Sequence, residues 1–350
     1  MKKINTLQLI TGLGMGGAEK VVLDLSKFIC KDRYNNHVVS LSSRNELYNE
    51  FVESGINPIV LNKSKSIYGF LSIIFILNKF VRDNNIQLIH AHMVHALIVA
   101  TVLKIFKPSL KIVYTSHNIN IGSILREAFV WALKPFRNID IVFSNHLNGF
   151  FYKSNCVIIP NGVEIDKYNL DYKKNKRFTF ISVGRLETVK NHKLLIEIAR
   201  DLRSDFDFEI NIVGHGYLFT ELDKLIESYE LKDCVKLLGL RNDISTLLNK
   251  SHCFVMPSLW EGFPISILEA GASGLPVIST SVGSIPSLLN ESNSYLCELD
   301  EFEEKMIDVL TNYNFAKEKS AILFEDIVKN HSIESVLNRH EEIYKTLVLG

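Results

Sequence analysis

Two cations in the second half of the chain have the spacing of a phosphate-binding loop. Arg185 follows a predicted strand, and Lys190 lies five residues later, before a predicted helix with Asn191 as its N-cap. Two cations at the mouth of a strand-to-helix loop suit a diphosphate, because they neutralise its charge and donate hydrogen bonds to its oxygens. A solvated surface pair is the alternative that this spacing leaves open.

Two carboxylates, Glu261 and Glu269, lie eight residues apart in the segment PSLWEGFPISILEAGASGLP. Pro264 suits the first turn of a helix, which places Glu261 in the entry loop with Gly262 and Phe263, and Glu269 in the second turn. Carboxylates in these two places can bracket a ligand that sits on the free N–H groups of the helix start. In the structural alternative, Glu269 only favours the helix dipole and Glu261 is solvated.

A glycine-rich loop, TGLGMGGAEK, follows the first predicted strand. Gly12, Gly14 and Gly17 satisfy GxGxxG, in which backbone N–H groups approach a phosphate at a helix start. The second predicted strand ends without the carboxylate that binds a ribose in NAD and FAD sites, although Arg44 suits a 2′-phosphate. A dinucleotide site is therefore disfavoured, and a purely structural turn is the other alternative.

A second loop with glycines, Gly214-His215-Gly216, follows the predicted strand EINIVG. A flat or anionic ligand can lie against the backbone there, because ligands of open α/β sheets bind beyond the carboxyl ends of the strands. His117 follows another predicted strand, in TSHN. A loop histidine with an ordinary structural role is the alternative, since His90, His92 and His95 are expected to crowd the neighbouring loop.

The elements that must position these residues alternate along the whole chain. Short apolar runs follow amphipathic helical stretches from end to end, which predicts α/β domains with parallel sheets covered by helices. The strands predicted in the first half are 7–11, 37–41, 58–61, 87–91, 111–115, 139–143 and 157–159. Those predicted in the second half are 178–183, 209–213, 235–238, 253–256, 277–279 and 294–297.

The alternation pauses in IPNGVEIDKYNLDYKKNKR at residues 159–177, which predicts a linker between two domains. We expect one Rossmann-like domain over residues 1–165 and another over residues 166–330. A closing helix over residues 331–350 is expected to return to the first domain.

The 350-residue chain has 47% hydrophobic and 22% charged residues, which excludes disordered and fibrous classes. Its formal net charge is zero, which argues against a nucleic-acid partner. The zero hides an asymmetry, because residues 1–170 have 19 basic and 11 acidic side chains and residues 171–350 have 20 and 28. The halves are therefore expected to be oppositely charged, by +8 and −8.

The cysteines and the apolar stretches predict a cytoplasmic protein. Five cysteines at least 19 residues apart indicate neither a disulfide framework nor a CxxC metal site. The longest apolar stretch, residues 67–77, has 11 residues, whereas a membrane span needs about 20. No signal-peptide cleavage site is expected after Lys2 and Lys3.

The motifs resemble those of the family 4 retaining glycosyltransferases. EGFPISILE at 261–269 looks like the family's E-x7-E motif, and the segment 184–190 looks like its GR-x4-K donor element. Gly16-Gly17 and the IPNGV segment at 159–163 are similar to further family patterns. Four elements in the right order and spacing cover nearly the whole chain, so together they are more specific than any one motif.

The resemblance implies a GT-B architecture, two Rossmann-like doubly wound parallel-sheet domains that face each other across a cleft. It implies that Arg185 and Lys190 neutralise the donor diphosphate and the charge that develops on the leaving group. The resemblance places Gly16, Gly17 and Gly184 at the donor, and Gly214 joins them from the loop after the strand EINIVG.

Five further site residues follow from the same resemblance. Glu269 is expected to bind the ribose hydroxyls, and Glu261 the hydroxyls of the donor sugar. Backbone N–H groups around Gly262 and Phe263 are expected to help Glu261. His117 matches the family's histidine beside the donor sugar.

The function that the resemblance implies is a retaining transfer of a sugar from a nucleoside-diphosphate donor, with UDP favoured, to a hydroxyl of a growing, lipid-linked surface glycan. The alternatives are a nucleotide-sugar epimerase of the same architecture and a non-catalytic protein that only binds sugar. Neither a cofactor nor a metal is expected. Asp205-x-Asp207 has the DxD shape of metal-dependent glycosyltransferases, but it is predicted at the sheet edge opposite the ligands.

A lipid-linked acceptor requires access to a membrane, and the first half has features of a peripheral membrane surface. In the stretch 123–137, Phe129 and Trp131 stand near Arg126, Lys134 and Arg137, the composition of an interfacial helix. Other mixed apolar and basic stretches are residues 63–79 and 104–111. The alternatives are that the aromatic residues are core and that the basic face binds an anionic glycan or a protein.

Overall fold

The computed structural model describes residues 3–62, 66–117, 124–143, 155–168 and 171–350. They form two compact units, the first made of residues 1–161 with 333–350 and the second of residues 162–332. Each unit contains one parallel sheet with helices packed on it. The predicted fold class is confirmed.

The first unit has a seven-stranded sheet in the order β3-β2-β1-β4-β5-β6-β7. Its strands are β1 (Ile4–Ile10), β2 (Tyr34–Ser40), β3 (Ile59–Val60), β4 (Leu88–His92), β5 (Lys111–Thr115), β6 (Ile139–Val142) and β7 (Cys156–Ile158). The helices between them are α1 (Gly17–Phe28), α2 (Tyr48–Glu53), α3 (Ile67–Asp83), α4 (Met93–Phe106) and α5 (Ile124–Ala132). The central strand β1 is almost entirely buried, because helices cover both faces of such a sheet.

The second unit has a six-stranded sheet in the order β10-β9-β8-β11-β12-β13. Its strands are β8 (Phe178–Val183), β9 (Phe208–Val213), β10 (Val235–Gly239), β11 (Cys253–Met256), β12 (Val277–Thr280) and β13 (Tyr295–Cys297). Its helices are α6 (Ile165–Tyr168), α7 (His192–Leu202), α8 (Phe219–Ser228), α9 (Ile244–Lys250), α10 (Ile265–Ala272), α11 (Phe302–Thr311) and α12 (Tyr313–His331). All thirteen predicted strands are confirmed, with ends within three residues of those expected.

The strand order decides where each sheet can bind a ligand. In both units the first strand lies inside the sheet, and the chain then builds one side before it crosses to the other. The reversal lies between β1 and β4 in the first unit and between β8 and β11 in the second. Loops after these strands diverge to opposite faces, so the carboxyl ends of β8 and β11 border a natural crevice.

The last helix, α13 (Ile333–Leu349), packs on the first unit. Val336, Leu337 and Tyr344 are buried in one apolar cluster with residues of α1 and the sheet. The Tyr344 ring meets Tyr34 of β2 edge to face, with 6.2 Å between the ring centroids. Burial of this helix face therefore stabilises the first sheet from the far end of the chain.

Candidate functional site

The loops after β8 and β9 are held together by their backbones. The N–H of Gly184 donates to the carbonyl of Val213 at 3.0 Å, and the N–H of Leu186 donates to the carbonyl of His215 at 3.1 Å. Gly214 has φ of +141°, and a Cβ there would overlap the carbonyl oxygen of Gly184. Position 214 therefore requires glycine for this close approach, whatever ligand lies above it.

An ion pair joins the two motifs predicted to bind the donor. The Nζ of Lys190 lies 2.5 Å from Oε1 of Glu261, although the residues are 71 positions apart in the chain. The Lys190 side chain is 18% exposed and the Glu261 side chain 8%. The lysine stem passes over Gly184, whose Cβ, if present, would lie 3.6 Å from the lysine Cδ and Cε. Lys190, Glu261 and Gly184 thus form one site at the carboxyl ends of β8 and β11.

Neighbouring side chains hold the Glu261 carboxylate in place. Ser258 donates from its Oγ to Oε1 of Glu261 at 2.6 Å, and Thr280 donates to the carbonyl of Ser258 at 2.6 Å. Gly283 has φ of +59°, and a Cβ there would overlap the carbonyl oxygen of Glu261. The carboxylate is therefore buried, hydrogen-bonded and fixed by its support, which excludes the alternative that Glu261 is merely solvated.

Arg185 occupies a different environment from Lys190. Its side chain is 63% exposed, and its Nη1 lies 2.7 Å from Oε1 of Glu187. An exposed ion pair of this kind contributes little to stability, so an anionic ligand can displace Glu187 at small cost. The structure thus gives the loop one cation fixed by a buried partner and one that is accessible.

Glu269 lies in the second turn of α10, as predicted, and it is buried. Pro264 occupies the N-cap position immediately before the helix, rather than the first turn that its fixed φ favours. The hydroxyl of Tyr168 donates to Oε1 of Glu269 at 2.6 Å. The Tyr168 carbonyl in turn accepts from Nδ2 of Asn249 at 2.6 Å. An interaction with the helix dipole alone does not account for this arrangement.

The loop between the two carboxylates is also anchored. The carbonyl of Gly262 accepts a short hydrogen bond from Oγ of Ser284. The Phe263 ring is buried and stacks on His331, with 5.8 Å between the ring centroids. These contacts fix the backbone whose N–H groups were predicted to face the donor sugar.

The N-cap position predicted for Asn191 is confirmed, but its conformation differs from that of a usual N-cap. Asn191 stands at the N-cap position of α7, but it adopts φ of +51° and its side chain makes no capping hydrogen bond. A short 3-10 turn over 188–190 leads directly into it and sets this left-handed backbone. Burial, with the nearby Lys190 as a second cause, lowers the pKa of the next residue, His192, to about 4.

The glycine-rich loop of the first unit does not have the electrostatics of a dinucleotide site. Gly16 is the N-cap residue of α1 and Gly17 its first residue. The carboxylate of Glu19 lies against Gly14 and Gly16. A negative charge at this helix start opposes a phosphate, which argues against the NAD or FAD alternative. Donor contacts of Gly16 and Gly17 stay a prediction.

His117 follows β5 and belongs to a group of imidazoles. Its Nε2 lies 3.0 Å from Nδ1 of His92, and its ring packs on Phe143. Burial, reinforced by nearby His340, lowers the pKa of His117 to about 3, so the ring is neutral. The expectation that His90, His92 and His95 crowd a loop is wrong. His90 and His92 lie in β4 with their side chains fully buried, and His95 lies in α4.

The DxD-like residues lie at the amino end of β9, as expected, because Asp207 is the residue immediately before Phe208. Asp207 pairs with Arg177, with 2.6 Å between its Oδ1 and the arginine Nε. Over the described ranges, no group of three or more His, Cys, Asp and Glu side chains is placed to hold a metal ion.

The α5 region differs in part from the predicted interfacial helix. Phe129 and Trp131 are 47% and 48% exposed, so they are not core. Arg137 is buried, with Nε 2.5 Å from Oδ1 of Asp140, so its predicted role at a surface is wrong. A buried carboxylate needs this partner, and burial nevertheless raises the pKa of Asp140. In the part of the chain that the structure describes, no helix has the length and apolar character to cross a bilayer.

Two family models together match most of the chain. The Glycosyltransferase Family 4 model matches residues 15–167, and the Glycosyl transferases group 1 model matches residues 166–322. The chain therefore belongs to this family of glycosyltransferases with the GT-B fold.

Similar proteins include several named transferases. The gpi3 polypeptide of phosphatidylinositol N-acetylglucosaminyltransferase from Schizosaccharomyces pombe is 24% identical over 95% of this chain and 78% of its own length. The UDP-Gal:alpha-D-GlcNAc-diphosphoundecaprenol alpha-1,3-galactosyltransferase of Escherichia coli is 37% identical over 42% of each chain. The solved structure of Anabaena Alr3699/HepE in complex with UDP and glucose superposes with a TM-score of 0.85 at 19% identity, over 98% of this chain and 100% of that one. This last likeness concerns the fold.

The sequence did not point to the residues that support the site. Ser258, Thr280 and Tyr168 are common residue types without a spacing of their own. Ser258 lies three residues before Glu261, which is the one local signal that a hydroxyl accompanies this carboxylate. The other contacts span 101 and 22 positions and depend on the fold.

We expect Gly214→Ala to destabilise the second unit by roughly 3 kcal/mol, since it combines backbone strain with overlap on Gly184. The control is Gly274→Ala, where φ is +67° but no atom lies within 4 Å of the added Cβ. That variant should lose only about 1 kcal/mol. Urea unfolding followed by Trp260 fluorescence in a Trp131→Phe background measures both. Equal losses would contradict the role given to Gly214.

Proposed function

We propose that the protein is a metal-independent, retaining glycosyltransferase that moves a sugar from a UDP-linked donor to a hydroxyl of a growing, lipid-linked surface glycan. The observation that supports this proposal is the Lys190–Glu261 ion pair, in which a cation suited to a phosphate lies beside a carboxylate suited to sugar hydroxyls. Both groups stand at the carboxyl ends of neighbouring strands, where α/β sheets bind ligands.

The diphosphate of the donor is assigned to Arg185 and Lys190. Lys190 is already held close to Gly184, so its charge is in place before the ligand arrives. Arg185 is exposed and can close on the outer phosphate oxygens with its planar guanidinium. Charge fixed in advance stabilises the leaving diphosphate without reorganisation during the reaction.

Glu261 is assigned to the hydroxyls of the donor sugar. Among the described residues, the hydrogen bonds that it accepts, from Lys190 and Ser258, both fall on Oε1. Oε2 can therefore accept from a sugar hydroxyl, while N–H groups near Gly262 and Phe263 donate to the same sugar. The anchored loop keeps this geometry fixed.

Glu269 is assigned to the ribose hydroxyls. Its second-turn position on α10 points back toward the helix start, and Tyr168 fixes one carboxylate oxygen at 2.6 Å. A charged acceptor binds hydroxyl groups more strongly than a neutral one.

The transfer itself needs little covalent chemistry from the protein. The bond between the anomeric carbon and the phosphate oxygen breaks, and a bond to the acceptor oxygen forms on the same face of the sugar. The proton of the acceptor hydroxyl goes to the departing phosphate oxygen. The enzyme orients the two sugars and stabilises the departing charge.

The names of similar proteins support the donor and acceptor classes. The Escherichia coli relative is named for UDP-Gal and a diphosphoundecaprenol acceptor, and the Anabaena structure contains UDP. The Schizosaccharomyces pombe relative is named for phosphatidylinositol, a lipid. These names favour UDP and a lipid-linked acceptor for this chain as well.

A mass-spectrometric screen of nucleotide-sugars for slow hydrolysis tests the donor class. Release of free sugar and UDP from one donor supports the proposal. A nucleotide-sugar altered at C2 without an acceptor would indicate an epimerase. Donor binding with neither hydrolysis nor transfer to any lipid-linked acceptor would indicate a non-catalytic sugar-binding protein.

Arg185→Ala should lower kcat by roughly two to three orders of magnitude, because the leaving diphosphate loses a charged donor. The matched control is Arg177→Ala, which removes another partly exposed, ion-paired arginine of the same unit. Arg177→Ala should leave kcat within about twofold, since Arg177 lies at the opposite edge of the sheet. Unchanged turnover in a folded Arg185→Ala protein would refute the assignment.

Replacing Glu261 or Glu269 by glutamine should impair different steps of the reaction. Glu269→Gln should weaken binding of free UDP by about 1–3 kcal/mol, since UDP contains the ribose. Glu261→Gln should mainly lose turnover, because it removes the charged acceptor for the transferred sugar. Its effect on UDP binding should be smaller than that of Glu269→Gln, since Glu261 reaches UDP only through its ion pair with Lys190. Isothermal titration with UDP and steady-state kinetics measure the two effects. The reverse pattern would show that the roles are exchanged.

We also propose that the first unit docks on an anionic membrane surface. Its helix α3 presents Ile67, Leu71 and Phe75 at a spacing of four residues, all exposed, with exposed Lys79 next in line. Phe129 and Trp131 expose further aromatic surface. Apolar residues with basic neighbours, in a half of the chain with net charge +8, suit an interface rich in anionic lipid.

Phosphatidylglycerol vesicles should sediment with the protein at low salt, and binding should fall as salt rises. Leu71→Glu with Phe75→Glu should abolish binding, and Lys134→Glu should weaken it by about 1 kcal/mol. The control is Ile322→Glu on α12, a residue that is 48% exposed in the other unit. Absence of binding at low salt, or equal loss in the control, would refute the docking surface.

A further inference from the structure

Three polar side chains form a continuous hydrogen-bonded line inside the first unit. His92 has Nε2 at 2.9 Å from Oε1 of Gln8 and Nδ1 at 3.0 Å from Nε2 of His117. Gln8, His92 and His117 are here called the histidine relay. They come from β1, from β4 and from the loop after β5, which are neighbours in the sheet.

The Gln8 amide directs its nitrogen toward two other side chains and its oxygen toward His92. Its Nε2 donates to Oδ1 of Asn36 at 3.2 Å and to the hydroxyl of Tyr344 at 3.4 Å. Oδ1 of Asn36 also accepts from the hydroxyl of Thr6 at 2.8 Å, as a carbonyl oxygen must. The amide oxygen of Gln8 therefore faces His92, and an oxygen of this kind only accepts.

The proton positions along the relay follow from this orientation. His92 must have its proton on Nε2 to donate to Gln8. It is fully buried, with the rings of His90 and His117 beside it, and this surrounding opposes a second proton. In agreement, burial lowers the pKa of His92 well below its usual value. Nδ1 of His92 is then a bare acceptor, so Nε2 of His117 must donate to it.

We infer that Gln8 and His92 are positioning residues that hold His117 in the Nε2–H tautomer, with Nδ1 left as an acceptor for a hydroxyl of the sugar substrate. The identity of that hydroxyl rests on the proposed function. A fixed acceptor orients the hydroxyl proton and discriminates against a substrate that lacks the hydroxyl, because the nitrogen would stay unpaired. Through this relay, the orientation of the Gln8 amide in β1 determines that Nδ1 of His117, in the loop after β5, is a hydrogen-bond acceptor.

Nuclear magnetic resonance of protein labelled with 15N in histidine reports the tautomer without any substrate. We expect wild-type His117 to have its proton on Nε2. His92→Leu should give a mixture of tautomers, whereas His92→Asn should keep the Nε2–H form, because the asparagine Oδ1 stands close to the position of Nδ1. Gln8→Met, similar in size, tests the same link if His92→Leu fails to fold.

The control is Thr115→Val, which removes the hydroxyl 2.7 Å from Nε2 of His90 in the same buried region but outside the relay. It should leave the tautomer of His117 unchanged. A wild-type His117 with its proton on Nδ1, or a His117 tautomer unaffected in both His92→Leu and Gln8→Met, would overturn the inference.

A kinetic measurement separates this inference from the proposed function. With the donor found in the screen, His92→Leu should lower kcat/KM about 10- to 100-fold through misplacement of His117, and His92→Asn should restore most of it. If no transfer is found for the wild type, the proposed function fails while the tautomer experiment still decides the relay. If transfer occurs but His92→Leu matches the wild type, the relay has no positioning role.

Discussion

The ion pair between Lys190 and Glu261 is the interaction on which the second unit's site depends. It brings together two loops separated by 71 positions, and its groups are 18% and 8% exposed. Removing one partner of such a pair leaves an uncompensated charge, at a cost of about 3–5 kcal/mol when burial is complete. Gly283 is part of the same constraint, because a Cβ at this position would overlap the carbonyl oxygen of Glu261.

The ionisable side chains are charged at the site of the second unit and neutral in the histidine relay of the first unit. The second unit keeps charged groups at the end of its sheet, each with a partner that an anionic or polar ligand can share or replace. The first unit buries uncharged imidazoles, and His92 and His117 are neutral because burial penalises the cation and lowers the pKa of each ring. Charge suits stabilisation of a departing diphosphate, whereas a neutral ring with a fixed tautomer suits orientation of a hydroxyl.

Expectations from local sequence failed where a distant partner decided the outcome. Strand β4 was expected to end before His92, but Gln8 and His117 satisfy the nitrogens of this polar side chain and the strand continues. Arg137 was expected at the surface, but it is buried because it forms an ion pair with the buried Asp140. Asn191 has the residue type of an N-cap, but the preceding 3-10 turn imposes a left-handed backbone.

The sequence by itself determined the thirteen strands, the α/β class and the order of the motifs, because apolar periodicity and glycine spacing are local properties that survive without tertiary contacts. It also placed Glu261 before a helix and Glu269 in that helix's second turn. Only the tertiary structure decided which side chains support them, as Tyr168 does for Glu269 across 101 positions. It likewise decided the tautomer of His117, because hydrogen-bond direction depends on the register of neighbouring strands, and that register is set by packing of the whole sheet.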